Sequence, residues 1–287
     1  AISNLAYCFE TGRGVERSSE KAWELYQLAA DRGNPAAQNV LGDCYRQGAG
    51  VEQNYETAVK WYRLAAEQGH ANAQYSLGFC YDNGHGVERN EKEAIKWFIL
   101  AAMQGEPYAQ NRLGIAYQWG EGIEQNEEEA VKWYRLAAEQ GAVSSQFYLA
   151  NCYYHGQGID RNYDEAAKWF RLAAAQGHAY AQNCLGVCYE EGHGVEQNYG
   201  EAAKWYRLAA EKGNATAQDN VGCCYQYGQG VEQNYEEAVK WFRLAAAQGN
   251  LHAQNRLGIY YENGQGVEQN YEEAVKWYRL AAEQGNE

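Results

Sequence analysis

No apolar run in this sequence approaches the roughly 18 residues that a membrane-spanning helix needs, and no stretch reads as a signal peptide. A basic block is missing as well. Acidic residues outnumber basic ones 38 to 24, which leaves a net charge of −14. Nucleic-acid binding draws most of its affinity from Lys and Arg on phosphates, so nucleic acid is not an expected partner. The same argument disfavours an anionic membrane surface. No C-x-x-C pair is present, and no nucleophile motif with its base. The chain opens at Ala1, without Met, inside a helical pattern. It therefore reads as a fragment or a processed chain, and the missing leader says little about location.

Eight cysteines are present, and an even count invites a disulfide reading. Six of them (Cys8, Cys44, Cys80, Cys152, Cys188, Cys224) recur at a spacing of 36 residues or a multiple of it. Equivalent positions in stacked helical repeats lie roughly 8–10 Å apart, beyond the ~7 Å that a disulfide spans between Cα atoms. These six are expected to be small apolar residues of a buried face. Free thiols fit a reducing compartment.

Self-comparison at a shift of 36 sets the organisation. Gly12, Gly48, Gly84 and their successors to Gly264 stay in register, as do Gly14 through Gly266 and Gly33 through Gly285. Trp61 recurs through Trp277, with Leu25 in the first copy. No insertion or deletion interrupts the series. One array covers 1–287: a partial repeat at 1–33, then 34–69, 70–105, 106–141, 142–177, 178–213, 214–249 and 250–285.

Within 34–69, Ala37, Leu41, Cys44 and Tyr45 fall at i, i+4, i+7 and i+8, an apolar helix face. Gly48 ends that helix as a left-handed C-cap. Asn54 then begins a second helix, with Glu three residues on in most copies (Asn126/Glu129, Asn162/Glu165, Asn234/Glu237). That helix gathers Ala58, Trp61, Tyr62 and Ala65 on one face and stops at Gly69. One hairpin cannot bury both its apolar faces, but stacked hairpins can. Gly42 and its equivalents, with Ala6 and Ala150 as small exceptions, sit inside helices and predict a close approach between helices.

The pattern A-x-x-x-L-G-x-x-Y-x-x-G-x-G-V followed by A-x-x-W-Y/F-x-x-A-A-x-x-G resembles the Sel1-like repeat, a relative of the tetratricopeptide repeat. The resemblance covers essentially the whole chain. It implies an all-α fold, a right-handed α/α superhelix (solenoid) of eight 36-residue helix–turn–helix repeats. It also implies an adaptor that assembles protein complexes, the first helix of each pair lining a concave side. One branch of that family has intra-repeat disulfides with Cys in both helices. This chain has no Cys in its second helices, so activities of that branch, such as penicillin binding, are not carried over.

Among near-identical repeats the informative positions are those that differ. Four first-helix positions vary in chemical type, at offsets 0, 4, 7 and 11, which is one stripe of a helix. The stripe holds Phe79, Tyr108, Arg112, Ile115, Trp119, Tyr148, His155, Tyr180, Tyr227, Ile259 and Arg256. A solvated face without a task drifts toward Lys, Glu and Ser, whereas aromatics beside Arg are the composition of binding hot spots. The expectation is a concave groove for a protein or peptide segment, densest at Tyr108, Arg112, Ile115 and Trp119 and continuing to Tyr148 and His155. In the competing reading the same aromatics fill gaps between neighbouring first helices.

Smaller signals read as architecture. Gln38 recurs as Gln74, Gln110, Gln146, Gln182, Gln218 and Gln254. A peptide-reading ladder is conceivable, but its constancy favours a tie between helices. His70, His178 and His252 near first-helix starts read as surface polar residues. The G-x-G loops follow no strand and are turn devices rather than phosphate cradles. Cys184 and Cys223 with His155 or His193 do not form a recognisable metal set, so neither metal nor cofactor is expected. An enzyme such as a cell-wall hydrolase would need a nucleophile–base pair, and only Cys184 or Cys223 could open one. The last repeat is as apolar as interior ones, which leaves end-to-end self-association as an alternative role.

Overall fold

The computed structural model describes residues 1–285, in two compact units, Ala1–Ser145 and Gln146–Glu287. The first unit holds α1 (Ile2–Thr11), α2 (Ser19–Asp31), α3 (Pro35–Gln47), α4 (Tyr55–Glu67), α5 (Ala71–Asn83), α6 (Glu91–Met103), α7 (Pro107–Trp119) and α8 (Glu127–Glu139). α9 (Val143–His155) begins at the boundary and leads into the second unit. There follow α10 (Tyr163–Ala175), α11 (Ala179–Glu191), α12 (Tyr199–Glu211), α13 (Ala215–Tyr227), α14 (Tyr235–Ala247), α15 (Leu251–Asn263) and α16 (Tyr271–Gly285). Among the described residues there is no strand. The fold is an α-solenoid of helix pairs, as the 36-residue period predicts.

The caps the sequence announces are formed. Asn54 Oδ1 accepts the Thr57 N–H at 2.8 Å, and Gly48 closes α3 at φ 73°. The first helices are capped at their N-termini by several residue types. Asn34, Asn214 and Asn250 serve in three repeats and Glu106 in a fourth. His70 and His178 serve in two more, each accepting a backbone N–H at Nδ1, at 3.3 and 3.2 Å. An imidazole can accept only while that nitrogen is unprotonated. Burial lowers the pKa of both rings, with Lys212 adding to the effect at His178 and Asp43 opposing it at His70.

The core is shared between neighbouring pairs. Ala58, Val59, Tyr62, Ala65 and Ala66 of α4 close against Ala73, Leu77 and Cys80 of α5. α12 and α13 repeat the arrangement in the second unit with Ala202, Tyr206, Ala217, Val221 and Cys224. The mid-helix glycines mark the predicted close approach of helices, and the group that comes nearest is a ring. Each leaves a notch for the ring of its own second helix: a Cβ on Gly114 would lie 2.4 Å from Tyr134, and one on Gly222 2.4 Å from Phe242. The second loop glycine makes room for a backbone. A Cβ on Gly194 would meet the Tyr163 carbonyl oxygen at 2.0 Å, and those on Gly86, Gly122, Gly230 and Gly266 would meet the equivalent backbone, so these loops ride on the first turn of the preceding second helix, whereas Gly50 has open space. All eight cysteines are free thiols.

The repeated glutamine is the tie between pairs. Gln218 donates to the Ala210 carbonyl in the last turn of α12 at 3.1 Å and accepts from Gln248 of α14 at 2.8 Å. Gln38, Gln74, Gln110 and Gln254 make the same two bonds. The exception is the sixth repeat, where Lys212 replaces the donor. Lys212 reaches the Gly177 carbonyl instead, and Gln182 Oε1 is buried without a partner.

Two predictions follow from these contacts. Lys212→Gln should supply the missing donor and raise the urea midpoint by the equivalent of about 1 kcal/mol; an unchanged or lower midpoint would refute the tie's energetic role. The histidine caps favour the neutral ring, so their folded pKa lies below the unfolded value of about 6.5. Their contribution is complete above that value and is lost as pH falls through the folded one. Between about pH 7 and pH 5.5, the wild-type thermal midpoint should therefore fall further than that of His70→Asn/His178→Asn. Equal slopes in the two proteins would contradict the assignment.

Candidate partner-binding face

The four variable positions of each first helix differ in depth. The outer two are exposed in every full repeat, and the middle two are mostly half-buried against neighbouring first helices. The stripe thus has exposed edges and a packed floor.

In the first unit, Tyr108 and Trp119 stand out at 64% and 66% exposure. Phe79, Arg112 and Ile115 form the floor. Tyr108 is steadied by Tyr75 of the preceding repeat, with ring centroids 5.8 Å apart. Arg112 pairs with Asp82 at 2.6 Å and reaches Glu121 at 3.5 Å, lying over the Phe98 ring. Side-chain exposure of Arg112 and Asp82 is 25% and 16%. Much of its charge is therefore used within the fold. Asp82, Asn83, Arg89, Arg112 and Glu121 line a polar hollow of about 430 Å³ beside it.

In the second unit, Tyr180 and Tyr227 are exposed at 64% and 59%, and His155 is exposed too. Tyr148 is half-buried beside Phe147, which also supports Tyr180 at a centroid distance of 6.2 Å. Arg256 pairs with the buried Asp219 at 3.3 Å over the Phe242 ring. Burial raises the Asp219 pKa, and Arg256 partly offsets the rise. A cavity of about 80 Å³ opens between Tyr154, His155, Phe170 and Cys184.

Sequence reading missed two positions that prepare this face. One is the support under Tyr108 and Tyr180, where Tyr75 and Phe147 replace the commoner Asn (Asn39, Asn111, Asn183). The other is the residue just before the exposed end of each first helix. Where the second-helix ring is Tyr, that residue accepts its hydroxyl: Tyr26 on Glu10, Tyr134 on Gln118, Tyr206 on Glu190, Tyr278 on Glu262. Tyr62 donates instead to Asp43 and accepts from Arg46. Where the ring is Phe, the residue is released to the next repeat. Asp82 then takes Arg112, Tyr154 meets His193 Nδ1 at 3.0 Å, and Gln226 takes Arg256 at 3.5 Å. The signal lay in comparing Tyr/Phe at one position with the polar residue 16 positions earlier.

Acid–base and nucleophilic chemistry finds little to work with here. Burial pushes the Cys184 thiol up to about 11 and Cys223 to about 12, so both stay protonated at neutral pH. His193 is engaged by Tyr154 and stacked on Tyr163 at 4.1 Å. Among the described residues no group of three or more His, Cys, Asp or Glu is arranged to hold a metal ion. No helix among them is long and apolar enough to cross a membrane.

Comparison with known proteins places this geometry. The family model of the Sel1 repeat matches eight times, at 1–34, 35–70, 71–106, 107–141, 143–178, 179–214, 215–250 and 251–286. A protective antigen of uropathogenic Escherichia coli strains, displaying the SLR fold, is 37% identical with a TM-score of 0.88. The match covers 99% of this chain but 61% of that protein, so this chain spans about three fifths of its length. A Sel1 repeat protein from Oxalobacter formigenes is 34% identical with a TM-score of 0.77, over 85% of this chain and 96% of that one. Comparison with curated proteins returned no match.

The ion pair in the first unit yields a prediction. Arg112→Ala strands a mostly buried carboxylate and should cost about 1–3 kcal/mol in urea unfolding. Adding Asp82→Asn should recover part of that loss, since the two sites share one interaction. Strictly additive losses would show that the pair is not coupled.

Proposed function

The chain belongs to the Sel1 repeat family, and on that premise we propose that it is a non-catalytic scaffold whose first-helix face binds a protein or peptide segment. The observation that carries the reading is the exposure of Tyr108, Trp119, Tyr180 and Tyr227 at positions where sister repeats hold small or polar residues. Each has an equivalent in another copy that folds without it: Ser144, Asn83, Thr216 and Gln47. The ring is therefore not needed to build a repeat. Exposing it costs solubility, and a partner that covers it recovers the apolar area.

Phe79, Ile115 and Tyr148 add a half-buried apolar floor to this face, and Ile259 and His155 are exposed on it. Arg112 and Arg256 act chiefly by holding the floor through Asp82 and Asp219. Tyr108 and Tyr180, braced by Tyr75 and Phe147, lose little freedom on binding, which favours their use as anchors. The partner is a macromolecular segment rather than a small substrate, because within the second unit alone the anchors Tyr180 and Tyr227 stand in successive repeats.

Replacing each anchor by its sister-repeat residue tests this without disturbing the fold. Trp119→Asn with Tyr108→Ser, and separately Tyr227→Gln with Tyr180→Thr, should leave helical circular dichroism unchanged. A partner captured by the immobilised wild type and identified by mass spectrometry should bind at least one pair variant about 2 kcal/mol more weakly, roughly thirtyfold in Kd. Undiminished binding by both would overturn the assignment.

A further inference from the structure

The two arginines of the variable stripe obey a rule that one site breaks. Arg112 lies over the Phe98 ring with its guanidinium carbon 5.9 Å from the centroid, and Arg256 over Phe242 at 5.6 Å. Each arginine follows its ring by 14 residues. After Tyr26, Tyr62, Tyr134 and Tyr206 the same step leads to Val40, Ser76, Tyr148 and Asn220. Only Phe rings are followed by arginine, and the third Phe of this set is Phe170. Its counterpart is Cys184. A thiol is too short to cover the ring as a guanidinium does.

A cavity of about 80 Å³ lies at this place in the second unit. Phe170 and Cys184 line it together with Asn151, Tyr154, His155 and Val187. Hydrogen-bond acceptors are at hand. Tyr154 stands at the position from which Asp82 takes up Arg112 and Gln226 takes up Arg256. Where Tyr154 donates to His193 Nδ1, its oxygen still accepts a guanidinium N–H. Asn151 donates Nδ2 to the Phe147 carbonyl, which leaves Oδ1 as a second acceptor.

The charge around the cavity is negative. Burial, then Cys188, Tyr163, Cys184 and Glu191, raises the Tyr154 pKa to about 12, so the exposed Glu191 acts at this site. Glu190 beside it accepts the Tyr206 phenol. Neither α9 nor α11 carries a Lys or Arg. Cations on adjoining segments are engaged elsewhere. Arg161 lies over Tyr163 and follows Asp160 in the chain, and Lys168 pairs with Glu165. Arg171 bonds Tyr189, which is two residues from Val187 and so on the far side of α11 from the stripe. His155 and His193, both set against Tyr154, complete the titratable groups at the mouth.

We propose that the partner segment on the first-helix face inserts an arginine here, its guanidinium over Phe170, donating to Tyr154 and Asn151 and facing Glu191. The inference rests on the first-helix face being the binding face, and names the side chain that face reads. In two sister repeats the fold supplies this guanidinium itself; in the sixth the partner supplies it. A cation over a partly desolvated ring is attracted to its π-face. The planar fork of arginine reaches two acceptors at once, which an ammonium on a flexible stem does less well.

The test uses the whole chain at about pH 8 in ~0.15 M salt, with the acetylated, amidated peptide Gly-Gly-Arg-Gly-Gly as probe. In nuclear magnetic resonance titrations it should shift the amides of Cys184, Val187 and Glu191. It should bind about tenfold more tightly than the same peptide with citrulline, the uncharged isostere of arginine, and about threefold more tightly than one with lysine. Arginine and lysine bound alike, the result expected from net charge alone, would overturn the proposal. So would citrulline bound as well as arginine, or shifts confined to other residues.

Cys184→Arg places the chain's own guanidinium over Phe170, as at Arg112 and Arg256. It should keep the helical circular dichroism and abolish binding of the arginine peptide. Glu191→Gln introduces the residue type of Gln47 in a sister repeat. It should weaken the arginine peptide about threefold and leave the citrulline peptide unchanged. Undiminished arginine binding in either variant would refute the site. If the captured partner is lost in Tyr227→Gln with Tyr180→Thr but the peptides show no arginine preference, this inference fails and the face stands. A captured partner indifferent to both ring-pair variants sinks the two together.

Discussion

One buried amide holds the array in step. The glutamine at the fourth residue of the first helix, as at Gln74, donates to the last turn of the preceding second helix and accepts from the end of its own. Three helices meet at a side chain that is 3–5% exposed. A carbonyl in the last helical turn lacks an intrahelical partner, so the glutamine answers a need every pair creates. Moving it by one residue would strand both its polar ends in the core at about 1–3 kcal/mol each. A repeat of fixed length without insertions is the outcome. The sixth repeat shows what happens when one donor changes: Lys212 leaves Gln182 Oε1 unpaired, yet the neighbouring repeats keep the register.

With register fixed, the interior is a choice between two solutions. A glycine or alanine in the first helix accepts a ring from the second. If the ring is Tyr, its hydroxyl consumes a polar group of its own repeat; if Phe, that group ties to the next. The consequence reaches the outer face. Arg112 and Arg256 both lie over a Phe ring, where the preceding repeat has an acid or amide to spare. An arginine on a variable stripe is thus explained by a ring 14 residues earlier in sequence, without a ligand.

Periodicity made most of the fold legible. Helix ends followed from Asn54-type and Gly48-type caps, and the glutamine from its constancy. Three features were hidden because they depend on which neighbour a side chain reaches. His70 and His178 resemble surface histidines until the backbone N–H beside Nδ1 is seen. The mid-helix glycine signalled close approach, but not that a ring is the group that comes nearest. The variable stripe was legible as a stripe, whereas its division into exposed edges and a half-buried floor was not. Offsets of 4 and 7 place a residue on a helix face but do not say how near the next helix stands.

Variation in such an array therefore divides into two kinds. One kind is compensated inside the repeat lattice: Arg112 by Asp82, Arg256 by Asp219, Tyr154 by His193. Folding alone accounts for it, and removing one member disturbs stability before it disturbs recognition. The other kind has no internal counterpart. Trp119 and Tyr227 expose rings at a position where Gln47, Asn83, Glu191 and Asn263 stand in other repeats, and Gly200 gives up a side chain that all seven sister repeats carry. Each moves the free chain away from its own best-packed pattern, since an exposed ring wets apolar surface and a helical glycine costs about 1 kcal/mol. Departures of this second kind, at Trp119 and Tyr227, are the ones on which the proposed first-helix face rests, because folding alone does not call for them.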